Sequence, residues 1–351
     1  MSIQRYVRSN IQRLKPYASA RSEFAGTADV FLDANENPFD TGLNRYPDPL
    51  QKELKEALSQ EKGVPADHIF LGNGSDEVID LLIRIFCEPR EESILILPPT
   101  YGMYKVSADI ADVGVAEVPL HRDFQPDVPA ILAAANEQTK ILFLCSPNNP
   151  SGNELEPDRI HQLVRQFPGI VVLDEAYIDF AEHASWSGEL SNYPNLVVMQ
   201  TFSKAWGLAG IRLGMAFAQP EIIQLLNKVK PPYNVNVLTQ KAALEALSHS
   251  EQRREWIRIL RSEKVQLEQA FHGLPFVEEV LPSQANFLLV RVSDPRDLYQ
   301  YLIEKKIIVR DRSNVHLCAG ALRITVGTPE ENHQLRQVLL SYDPPNAPTN
   351  P

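Results

Sequence analysis

The stretch TFSKAWGLAGIRLG, residues 201–214, ends an apolar run, LVVMQ at 196–200, on two hydroxyls and a lysine, and it sets Arg212 eight residues beyond Lys204. An amine at the end of a buried strand can attack a carbonyl or carry a proton once its charge is suppressed, and a nearby guanidinium can hold an anion. Taken alone, Lys204 reads better as a surface lysine with its stem along apolar neighbours, as most lysines are. Three other segments also place polar groups where apolar runs end. FLGNGSDEVIDLL, 70–82, puts glycines before Ser75, Asp76 and Glu77 at a helix start. Free N–H groups and the helix dipole suit an anion there, while capping by Ser75 or Asp76 is the competing explanation. VVLDEAYIDF, 171–180, ends its strand on Asp174, with Tyr177 three residues on. A buried carboxylate is costly without a cationic or hydrogen-bonding partner, although a helix cap accounts for it as well. CSPNNPSG, 145–152, carries Asn149 among ordinary turn formers.

Strands and helices must bring these ends together. The runs SILILP (93–98), KILFLCSP (140–147), IVVLDEAY (170–177), LVVMQTFS (196–203) and RLGMAFA (212–218) alternate with amphipathic segments such as SDEVIDLLIRIF and DRIHQLVRQF. This alternation predicts an α/β fold with a large domain, 44–272, whose mostly parallel central sheet is flanked by helices and binds ligands at the carboxyl ends of its strands. From residue 236 a proline-free helical pattern predicts one long connecting helix. The shorter strands FVEEVL, NFLLVRV, IIVRD and LRITVGT then predict a smaller α+β domain over 273–342. Residues 1–43 are expected to form an N-terminal arm and part of the small domain, and the proline-rich 343–351 a disordered tail.

Composition excludes several function classes. Across 351 residues the formal charge is −11, which leaves no basic excess for a nucleic-acid partner. The apolar runs fall far short of the ~20 residues of a membrane helix, so no membrane partner is expected. Cys87, Cys145 and Cys318 are scattered among apolar residues, as in a reduced cytoplasmic protein, and no metal motif occurs. The first 22 residues hold four arginines, one lysine and no acid. That is a transit-peptide composition, but Pro16 and Tyr17 favour a packed arm. The Gly-x-Gly at 72–74 lacks the third glycine of a dinucleotide fingerprint.

One cofactor, pyridoxal 5'-phosphate, uses all four segments at once. It needs an amine for a Schiff base, a carboxylate at its ring nitrogen, donors at its phenolic oxygen and a cradle for its phosphate. The ordered series LKPYASAR, DANENP, NRYPDP, GNGSDE, PPTYGMY, SPNNPSG, DEAY, TFSKAWGLAGIRLG and LRITVGT resembles the fold-type I, class II aminotransferases over nearly the whole chain, and within them the histidinol-phosphate branch. The resemblance implies that Lys204 forms the Schiff base and moves the proton, Asp174 pairs with the ring nitrogen, Asn149 and Tyr177 meet the phenolic oxygen and Tyr101 stacks on the ring. It assigns the phosphate to Gly74, Ser75, Asp76, Thr201, Ser203 and Arg212, with Tyr46 reaching across a homodimer interface.

The implied substrates are histidinol phosphate and 2-oxoglutarate, exchanged for imidazole acetol phosphate and glutamate. Tyr17, Asn35, Arg310 and Arg323 are the implied substrate contacts, and an arginine inside an apolar strand such as LRITV is poorly explained as surface charge. Two neighbouring activities share the cofactor residues and stay open: an aromatic amino-acid aminotransferase and a threonine-phosphate decarboxylase.

Overall fold

The computed structural model describes residues 3–17 and 29–344. The expected disordered tail lies outside the described residues from 345 onward, as do positions 18–28 of the arm.

Seven strands build the larger sheet: β1 (Ile69–Asn73), β2 (Ser93–Ile96), β3 (Gly114–Glu117), β4 (Thr139–Cys145), β5 (Ile170–Asp174), β6 (Leu196–Thr201) and β7 (Leu213–Ala218), in the order β1-β7-β6-β5-β4-β2-β3. The pairs from β3 to β6 run parallel, and β7 runs antiparallel to both β1 and β6. Side chains alternate between faces along a strand. Leu142, Leu144, Leu173 and Val198 pack in one core, while Ile141, Phe143, Val172 and Met199 pack in another on the opposite face. Both faces are therefore covered, which is why the central strands read as unbroken apolar runs. Ile3, Val7 and Ile11 of the N-terminal segment join the second of these cores with Phe70, Ile85 and Leu225, so this part of the arm lies on the larger sheet.

The second sheet is four-stranded and antiparallel: β8 (Val277–Val280), β9 (Phe287–Val292), β10 (Arg310–Asp311) and β11 (Ala321–Thr325), in the order β10-β11-β9-β8. The single long helix expected from residue 236 is two, α1 (Val237–Ser248) and α2 (Ser250–His272). The break has a local cause. Ser248 donates its hydroxyl to the Glu245 carbonyl at 2.7 Å, and the His249 ring meets that same carbonyl at 2.8 Å, so side chains compete for an acceptor the helix would use.

Candidate active site

The carboxyl ends of β1, β2, β4, β5 and β6 open on one cavity of about 640 Å³, roofed by residues of β10 and β11. Ser75, Asp76, Tyr101, Asn149, Asp174, Tyr177, Thr201, Ser203, Lys204, Arg212, Arg310 and Arg323 all line it. Residues 90 or more positions apart in sequence thus meet at one wall because parallel strands share a carboxyl edge.

Asp174 is the last residue of β5 and only 3% exposed. Its Oδ2 accepts a 2.7 Å hydrogen bond from the Tyr104 hydroxyl and its Oδ1 one of 3.0 Å from the Ala176 N–H. Burial raises its pKa above the ordinary aspartate value, and those two hydrogen bonds oppose the rise. Tyr104 was not a sequence candidate. It is wholly buried and stacks on Phe143 at 4.6 Å, and its only sequence signal is its place one helical turn beyond Tyr101.

Lys204 follows β6 in a tight turn closed by Gly207 N–H to the Lys204 carbonyl and Leu208 N–H to the Phe202 carbonyl. Its ammonium lies 5.5 Å from the centre of the Tyr177 ring. Lys204 keeps contact with solvent through the cavity, yet desolvation by the surrounding protein is the largest influence on its amine. Desolvation lowers the pKa from the lysine value and Arg323 lowers it further, whereas Asp174 pulls the other way. Thr201 braces the turn: its hydroxyl donates to the Leu213 carbonyl at 3.3 Å and accepts the Ser203 N–H at 3.1 Å.

The helix α3 (Ser75–Phe86) starts at Gly74, φ +76°, without a side-chain cap. Capping by Ser75 or Asp76 is thereby set aside, and the first N–H groups of the helix are left for another acceptor. Arg212, itself left-handed at φ +53°, reaches this turn from β7; its guanidinium lies 3.4 Å from Asp76 Oδ2 and 3.4 Å from Ser203 Oγ. A Cβ on Gly74 would sit 2.8 Å from Arg212 Nη2, and a Cβ on Gly214 would sit 2.2 Å from the Ser75 nitrogen. Only glycine lets the turn, the arginine and β7 come this close.

Arg323 Nη1 donates to Asn149 Oδ1, tying the second sheet to the loop after β4. Tyr177, 7% exposed, packs edge-on against Phe287 at 5.2 Å, and burial raises its pKa. Tyr101 donates its hydroxyl to Asp76 Oδ1 at 3.1 Å. Three expected residues lie elsewhere. Asn35 and Tyr46 line a separate concavity of about 460 Å³ with Leu43 and Leu238, Tyr46 stacked on Tyr233 at 4.3 Å, and Tyr17 is 73% exposed. Arg312 lines the main cavity and was missed, although RDR at 310–312 places two arginines on one side of a strand.

An uncapped helix start with an arginine and a hydroxyl beside it, a buried carboxylate held by two donors, and an amine with a lowered pKa form one donor set. That set fits pyridoxal 5'-phosphate, with the anion cradle for its phosphate and the carboxylate for its ring nitrogen. The comparisons agree. The chain matches the aminotransferase class I and II family over residues 26–339, and it belongs to that family. A protein of Cytophaga hutchinsonii named histidinol-phosphate aminotransferase is 54% identical over 345 residues, 97% of this chain and 99% of that one. The crystal structure of the histidinol-phosphate aminotransferase from Clostridium acetobutylicum superposes with a TM-score of 0.78 at 25% identity, covering 85% of this chain and 90% of that one. The Sinorhizobium meliloti histidinol-phosphate aminotransferase, solved in complex with pyridoxal 5'-phosphate, gives 0.77 at 24% identity over 85% of this chain and 83% of that one, a likeness of fold. The architecture is that of the fold-type I pyridoxal-phosphate enzymes. Among the described residues, no helix is long and apolar enough to cross a membrane.

Proposed function

We propose that this chain moves an amino group between L-histidinol phosphate and 2-oxoglutarate, giving imidazole acetol phosphate and glutamate. The observation that carries the reading is the meeting of Lys204 and Asp174 with Arg310, Arg312 and Arg323 in one cavity. The first pair serves the chemistry of amino transfer, and the arginines suit an anionic substrate. Support also comes from the Cytophaga relative at 54% identity.

Pyridoxal phosphate, when bound, supplies an aldehyde and an electron-withdrawing ring that make a proton on the adjoining substrate carbon removable. Lys204 would hold the cofactor through Nζ and, once displaced, its amine would carry the proton that the cofactor makes removable. Its lowered pKa keeps more of the amine neutral at working pH than in an ordinary lysine. Asp174 would hold the ring nitrogen charged, and Asn149 and Tyr177 would serve the phenolic oxygen. Tyr101 would lie against the ring, while Gly74, Ser75, Asp76, Ser203 and Arg212 would hold the phosphate, with Thr201 shaping their turn. Arg323 and Arg310 receive the anionic end of the substrate.

The active unit in this reading is a cytoplasmic homodimer. Tyr46 and Leu238 line the second concavity at 50% and 61% exposed, and Leu32 and Phe39 of the same arm are 87% and 77% exposed, more apolar surface than a solvated arm calls for. Tyr46, and with it Asn35 and Tyr17, would then complete sites from across the interface or on closure of the arm. In the same reading the larger domain runs over 44–272 and the smaller over 273–342, and the end of α2 at His272 supports that division.

The test is direct. Purified protein with histidinol phosphate and 2-oxoglutarate should yield glutamate, and Lys204→Ala should lack the borohydride-reducible linkage to the cofactor. Release of carbon dioxide from threonine phosphate without glutamate formation would instead make the protein a lyase.

A further inference from the structure

Besides Arg212, three guanidiniums line the main cavity, those of Arg310, Arg312 and Arg323, and the carboxylates near them are occupied elsewhere. Asp76 is engaged by Tyr101 and Arg212, and Asp174 by Tyr104 and Ala176. Asp311 Oδ1 takes the N–H and hydroxyl of Ser313. Arg323 donates to Asn149, a neutral acceptor. Arg312 Nε is buried with no hydrogen-bond partner.

The placement of Arg312 follows from the strand. Its N–H donates to the Ala321 carbonyl at 2.9 Å, extending the β10–β11 ladder in which Arg310 stands opposite Arg323. Residues two apart on an extended strand share a face, so Arg310 and Arg312 point the same way, and both line the cavity. Like charges directly opposite on a ladder oppose pairing. Burial first, and then Arg323 and Arg310, lower the pKa of Arg312. An anion between them removes both costs. A carboxylate brings one charge and two oxygens, enough for one guanidinium fork, whereas a phosphate monoester brings up to two charges and three oxygens.

We propose that Arg312 is the specificity-determining residue that selects a phosphate monoester dianion over a carboxylate, as the third guanidinium beside Arg310 and Arg323. This rests on the reading of the substrate as a phosphate ester.

The test uses holoenzyme and follows each half-reaction separately in single turnovers, with histidinol phosphate or glutamate as amino donor. R312Q is expected to lose about tenfold or more in kcat/KM for histidinol phosphate, the size of a lost charge-assisted bond, while the glutamate half-reaction changes less than about threefold. The wild-type rate with histidinol phosphate should also fall as pH drops through the second phosphate ionisation near ~6, and R312Q should flatten that fall. R312K keeps the charge but not the fork, and should lie between. An equal loss with both donors, or no loss with either, overturns the assignment. Should the wild type itself fail to use histidinol phosphate, the proposed function falls first and takes this with it. If the wild type uses it and R312Q leaves the ratio of donors unchanged, only the role of Arg312 falls.

Discussion

The Tyr104 hydroxyl donates a 2.7 Å hydrogen bond to Asp174 Oδ2 beneath the cavity floor, with both residues almost wholly buried. Tyr104 is wholly buried and outside the cavity lining; its bond fixes the direction and acidity of the carboxylate. Because this bond holds the Asp174 pKa down against burial, Tyr104→Phe lets it rise further. In the proposed mechanism the ionised carboxylate is the working form, so the acid limb of the pH–rate profile should move to higher pH in the variant. We expect kcat to fall about tenfold in both half-reactions alike, as for loss of one charge-assisted bond. The spectrum of the bound cofactor should titrate differently as well. An unmoved pH profile with lowered activity would reduce Tyr104 to a packing role.

Gly74→Ala forces Arg212 aside and imposes φ +76° on a residue with a side chain. Cofactor affinity, read by equilibrium dialysis, should fall about tenfold to a hundredfold, with histidinol phosphate binding to the remaining loaded enzyme little altered. Gly214→Ala meets the Ser75 nitrogen, which is backbone and has no freedom to give, and should lower both cofactor affinity and melting temperature.

Glu175, 1% exposed next to Asp174, has its pKa pushed up to about 7 by burial, against hydrogen bonds from Ser185, the Trp186 N–H and Gln200. The folded chain therefore holds this proton more tightly than the unfolded chain, whose glutamate titrates near 4.5. The sign follows: its contribution to stability declines as pH rises from about 4.5 to about 7 and is constant above. The change is on the order of a few kcal/mol. Thermal unfolding should show wild type losing stability relative to Glu175→Gln between pH 5 and pH 7, with the difference level at higher pH. A constant difference across that range would reject the linkage.

Leu238 lines the second concavity and is 61% exposed. If that face joins two copies, Leu238→Asp should weaken self-association measured by sedimentation at least tenfold, and activity should become dependent on protein concentration. A wild type that sediments as a monomer would sink the dimer.

Much of the site was readable because parallel strands deliver their carboxyl ends to one edge. Asp174, Lys204, Asn149 and the Gly74-Ser75-Asp76 turn each stand where an apolar run stops. Tyr104 was not readable as a site residue, since nothing in a buried aromatic's own neighbourhood says that its hydroxyl meets a carboxylate 70 residues away. Arg312 was overlooked because β10 is only two residues long and its pairing with β11 is non-local. The break at His249 was hidden for a related reason: residues 236–272 hold no proline or glycine to mark it, and the interruption comes from side chains competing for one carbonyl.

Within the main cavity the residues placed toward the cofactor come from the ends of the larger sheet, whereas Arg310, Arg312 and Arg323 come from one short segment on the second. On the proposed roles, choice of amino donor and the machinery of transfer are written on separate pieces of chain. A relative with a different appetite need differ only in that cassette, and grafting it between family members is the shortest route to retargeting the enzyme.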